Sequence, residues 1–128
     1  MIFGFVPPPY GSLWGAVRDL LDGAVKRGKN EWPDVIAALM TGRAQLWLTV
    51  TDRPINATVT RMDGDTLEIW LCGGEVLSGA LPYLETIIGA AKADGATNGR
   101  IIGRKGWDRV LQAYGWRREG DELVKGFD

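Results

Sequence analysis

Glu68 sits between Leu67 and Ile69, with Trp70 next along the chain, and is the residue here best suited to acid–base work. A carboxylate beside an aromatic ring loses hydration, which raises its pKa and lets it accept a proton from an amine. The plainer reading of the same residue is a solvent-facing strand glutamate. Cys72 is the only cysteine. It excludes an internal disulfide and, at the end of an apolar run, reads as a buried structural thiol. The chain has no histidine, which removes Ser-His and Cys-His nucleophile pairs and nearly all zinc sites. Gly73 and Gly74 follow Cys72 and suit a bulge or tight turn at a strand end. Asp63 and Asp65 read as turn residues.

These residues need a strand to carry them, and the pattern supplies one. Thr66 to Cys72 alternates Leu67, Ile69 and Leu71 against Glu68, Trp70 and Cys72. Two strands precede it. Ala44 to Thr51 sets Leu46, Leu48 and Val50 against Trp47 and Thr49, and Ile55 to Met62 sets Ile55, Ala57 and Val59 against Asn56, Thr58 and Thr60. Period two with β-branched residues predicts an antiparallel meander, turned at Asp52-Arg53-Pro54 and Asp63-Gly64. Trp47 and Trp70 fall opposite the leucines of their strands. They either cover the second face of the sheet or form an exposed contact surface for another protein.

Helices flank the meander in sequence. Gly11 to Arg27 carries the stripe Leu13, Val17, Leu20, Leu21 and Ala24. A second helix, capped by Asn30 with Pro33 in its first turn, turns Val35, Ile36, Leu39 and Met40 inward and ends at Gly42. A third runs from Pro82 to Asp94, buries Leu84, Ile87, Ile88 and Ala91, and ends at Gly95. Arg100 to Ile102 reads as a short strand. Trp107, Val110, Leu111 and Tyr114 then line one face of a last helix stopped by Gly115. Trp116–Arg118 and Leu123–Phe127 pair around Gly120-Asp121, and Ile2 to Val6 opens the chain as a strand. The expected architecture is a single α+β domain over residues 1–128, with a mixed, mostly antiparallel sheet flanked by helices.

Composition narrows the function classes. Fifteen basic residues against sixteen acidic ones leave no electrostatic footprint for nucleic acid. The apolar start, Met1 to Val6, is too short for a signal peptide or membrane span and is stopped by Pro7-Pro8-Pro9. The expectation is a soluble protein kept in a cytoplasm or packaged in a particle, and not secreted. Six tryptophans in 128 residues suit a protein interface.

The element order, and the closing helix followed by Gly115-Trp116 and a hairpin, resemble the GNAT N-acetyltransferase fold over nearly the whole chain. The run Gly103-Arg104-Lys105-Gly106-Trp107-Asp108-Arg109 with Tyr114-Gly115 is also similar to small GNAT-like proteins encoded by bacteriophages near virion genes. The resemblance implies an acyl-CoA lying between splayed fourth and fifth strands, against Leu71, Cys72, Gly73, Gly74, Gly79 and Ala80, with Glu68 as the base. This sequence departs from the family in two places. The loop Gly73–Pro82 does not fit Arg/Gln-x-x-Gly-x-Gly/Ala, the pattern that brings backbone N–H groups to a pyrophosphate. Leu111 occupies the place of the family's acid tyrosine, and Tyr114 reads as packing. The resemblance with these departures implies a non-catalytic bacteriophage virion component, part of a complex with other protein chains and needing no cofactor. The alternative is an acetyl-CoA-dependent N-acetyltransferase with a divergent cofactor loop.

Overall fold

The computed structural model describes residues 2–74, 83–102 and 107–127. Seven strands form one sheet: β1 (Ile2–Val6), β2 (Ala44–Val50), β3 (Pro54–Asp63), β4 (Thr66–Gly74), β5 (Asn98–Ile102), β6 (Arg117–Glu119) and β7 (Glu122–Gly126). Their order across the sheet is β1-β2-β3-β4-β5-β7-β6. Every pairing is antiparallel except β4 with β5. The helices are α1 (Trp14–Arg27), α2 (Trp32–Met40), α3 (Leu84–Ala93) and α4 (Asp108–Gln112). This is the mixed α+β architecture expected from the pattern, in the expected element order.

Two cores lie on opposite faces of the sheet. Val17, Leu21, Val25, Val35 and Leu39 of α1 and α2 pack on Leu46, Leu48, Ala57, Val59 and Leu71. Leu84, Ile87 and Ile88 of α3 and Leu111 of α4 pack on Trp47, Leu67, Ile69, Ile101 and Leu123. Burial of these apolar groups supplies the main driving force for the fold.

Leu67 and Ile69 therefore face α3, whereas Leu71, of the same parity, faces α1 and α2. The register explains it. Val59 pairs with Leu71 but Thr60 pairs with Ile69, so Trp70 is an extra residue on β4. A bulge of this kind reverses the alternation beyond it. Simple period-two reading had set all three residues on one side, and the bulge corrects it.

Other local expectations change in detail. The first helix opens with a 3-10 turn, Gly11–Leu13. Glu31, not Asn30, is the N-cap of α2, and Met40 is exposed rather than inward. In the last helix only Leu111 is buried. Val110 and Tyr114 are 39% and 40% exposed, because five residues make too short a helix to bury a full stripe. Gly115, at φ 91°, makes the left-handed stop that the sequence predicts.

Candidate functional site

The bulged strand has two unlike ends. Over Thr66–Ile69, β4 lies between β3 and β5, with Ile69 opposite Ile101. Beyond Ile69 the parallel ladder stops, while β4 runs on beside β3 to Gly74 opposite Asn56. Among the described residues no strand flanks the far edge of Leu71–Gly74.

A cleft of about 380 Å³ opens at this end of β4. Cys72, Gly73, Gly74 and Asn56 line it from the sheet, Leu20, Gly23, Ala24 and Arg27 from α1, and Trp107 from the approach to α4. Glycine is required at both positions closing β4. A Cβ on Gly73 would run into the backbone carbonyl of Leu20, and Gly74 sits at φ 148° against Ile55 and Asn56. The α1 backbone therefore rests directly on β4, and only a residue without a side chain permits that approach. Cys72 is buried, as expected, with Sγ 3.5 Å from the Thr58 hydroxyl.

The other end of β4 is held by charge. Glu68 is 1% exposed. One carboxylate oxygen accepts from Arg61 Nε of β3 at 2.5 Å. The other accepts from Arg100 Nε and Nη2 of β5 at 3.0 and 2.8 Å. Arg100 also reaches Asp63 at 2.8 Å. The hydrogen bonds that Arg100 donates to Glu68 and then Asp63 push its pKa further up, so this guanidinium stays charged. The Arg61 guanidinium lies 3.8 Å from the Trp70 ring centroid, and Trp70 Nε1 donates to Asn30 Oδ1 at 3.3 Å. The solvent-facing reading of Glu68 is thus corrected: the carboxylate is buried and spans three strands. Both its oxygens are engaged by arginines, which leaves it poorly placed to take a proton from a substrate.

Trp47 is corrected too. It is 9% exposed, lies 5.7 Å from Phe3 in a stacked pair, and donates Nε1 to Thr60 Oγ1 at 3.0 Å. Of the two readings, it covers the second face of the sheet. None of the six tryptophans is exposed, because each rests in a core or against a neighbouring side chain. Of the family's pyrophosphate segment, residues 75–82 lie outside the described residues, Gly79 and Ala80 among them, as do Arg104 and Lys105. Among the described residues no cluster of side chains suits a metal ion, and no helix is long and apolar enough to cross a membrane.

Arg27 and Asn56 were not singled out in the sequence. A helix-end arginine and a strand asparagine carry no local signal there, and only the fold brings them to one cleft.

The fold is that of the GNAT acetyltransferases. The chain is similar to an aminoglycoside 6'-acetyltransferase type Ii, with a TM-score of 0.77, 11% identity and coverage of 98% of this chain and 97% of that one. It is similar to a Bacillus subtilis acetyltransferase in complex with CoA, with a TM-score of 0.69, 16% identity and 98% of each chain covered. A GNAT family acetyltransferase from Brucella melitensis in complex with acetyl-CoA gives 0.68 at 8% identity, covering 99% of this chain and 89% of that one. No family model and no curated protein matches the sequence. At these identities the likeness is one of fold.

Proposed function

We propose that this chain is an acetyl-CoA-dependent N-acetyltransferase whose cofactor loop diverges from the family pattern. The observation that carries the reading is the end of the β4–β5 ladder at Ile69, beside the Trp70 bulge, with a cleft at the far end of β4. The residues there fit an acyl-CoA. Gly73 and Gly74 present backbone without side chains, and an extended ligand can run along a strand edge that no strand among the described residues covers. The tryptophans add support, since none forms an exposed patch and Trp107 borders the cleft.

Bound acetyl-CoA would supply an activated thioester acyl group. The chain's own part is positional. The Glu68 pairs hold β3, β4 and β5 together up to the point of parting, and Gly73 against Leu20 sets the depth of the cleft. Fixing two reactants in one orientation is itself a large catalytic term. With Glu68 engaged by two guanidiniums, no carboxylate among the described residues lining the cleft is free to take the proton, and the acceptor amine arrives unprotonated.

The virion reading draws on sequence resemblance alone. The structures compared are enzymes and favour the alternative in kind. Calorimetric titration with acetyl-CoA tests the proposal, followed by thiol release with a panel of amines. Micromolar binding and turnover that climbs with pH toward the acceptor's own pKa are expected. Absence of binding at millimolar acetyl-CoA would sink it.

A further inference from the structure

The α1 wall of the cleft carries chemistry that a thioester does not need. Arg27 lines this wall, and its side chain folds back along α1: a Cβ built on Gly23 would stand 3.2 Å from Arg27 Nη1. Gly23 therefore leaves room for the guanidinium over the preceding turn. Among the described residues Arg27 has no carboxylate partner, unlike Arg61, Arg100, Arg117 and Arg118. On the sheet side, Asn56 is 4% exposed. Its Oδ1 accepts from the Thr58 hydroxyl at 3.3 Å, and the same amide group carries a donor nitrogen at the cleft lining. An amide nitrogen at the lining of a cleft can donate to a ligand acceptor.

The described lining contains no carboxylate, and its one formal charge is the Arg27 cation. That balance opposes a simple or polycationic amine, which would bring like charge to a guanidinium. It suits an amine whose own anion cancels the charge. A guanidinium offers forked donors that match a carboxylate.

We propose that the acceptor is an amine bearing a carboxylate, held by Arg27 with Asn56 as a second donor, and that polyamines are rejected. This rests on the acetyltransferase reading. The donor's phosphates share the same anionic chemistry, but an amine acceptor needs charge cancellation beside Arg27 whereas a thioester does not.

The test compares kcat/KM for a panel of amino acids, their matching amides and spermidine at saturating acetyl-CoA. Amino acids are expected to lead their amides by about 10- to 100-fold, the range for a charge-assisted hydrogen bond. Arg27→Ala should raise KM for amino acids by a similar factor, leave KM for acetyl-CoA unchanged and erase the discrimination. Arg27→Lys should restore part of it. Arg27 is exposed, so both variants are expected to fold.

Equal or better turnover of amides or spermidine would overturn the proposal. So would an Arg27→Ala effect confined to KM for acetyl-CoA, which would assign the guanidinium to the donor's phosphates. If no amine is turned over, N-acetyl amino acids are titrated directly by tryptophan fluorescence. Binding that Arg27→Ala abolishes would uphold the anion site while the transferase reading falls. No binding at millimolar ligand would refute the site itself.

Discussion

The two ends of β4 contrast in how they are held. The first, Thr66–Ile69, has a strand on each side, and the buried Glu68 carboxylate grips an arginine on either neighbour. The second, Leu71–Gly74, pairs among the described residues with β3 alone and rests on the backbone of α1. One residue, Trp70, divides them. The bulge shifts the register of β4 on β3, and the paired charges tie β3, β4 and β5 together just before it. A cleft at a sheet needs an open strand edge, and an open edge needs a firmly held stretch beside it. Here the same strand supplies both.

The contrast should appear most strongly in amide hydrogen exchange. Amides of Leu67 to Ile69 are expected to exchange only on global unfolding, about 5–15 kcal/mol for a domain of this kind, and outward amides of the Leu71–Gly74 stretch with far less protection. Equal protection along β4 would break the comparison. Acetyl-CoA should slow exchange at the second end alone.

Glu68→Ala comes next. Leaving two arginines beside an empty buried position should cost about 3 kcal/mol, the low end for a broken buried pair because both guanidiniums keep some solvent. Urea denaturation measures it. A cost below about 1 kcal/mol would show that the staple does not hold the seam.

Gly73→Ala should destabilise by about 1–3 kcal/mol, because the clash is with Leu20 backbone and not with a flexible side chain. The same substitution at Gly126, where a Cβ meets open space, is the control and should change the melting temperature little.

The smallest effect concerns Asp108 and Arg118, which join the start of α4 to β6. Hydrogen bonding from Arg118 holds the Asp108 carboxyl below its ordinary value. A depressed carboxyl stabilises the fold above its unfolded pKa of about 4 and loses that contribution as pH falls through the folded value. Asp108→Asn should flatten this acid limb in thermal melts between about pH 5 and pH 2. An unchanged limb would mean the pair is exchanged freely for water.

Much of this fold was legible in the residues. Period two fixed the meander, apolar stripes fixed α1 and α3, and glycines at positions 64, 115 and 120 marked the turns, because these signals are local and each element carries its own pattern. The element order was enough to reach the GNAT-like architecture. The bulge at Trp70 was not legible, since it is defined by which β3 residue lies opposite, and one extra residue reverses every face beyond it. The partners of Glu68 were equally hidden. Arg61 is seven residues away and Arg100 thirty-two, and nothing local distinguishes a solvated glutamate from one that three strands enclose. The sequence by itself therefore determined the elements and their order. Tertiary structure alone decided where the sheet opens, which carboxylate is locked, and which arginine is left facing the cleft, because those depend on pairings between distant segments.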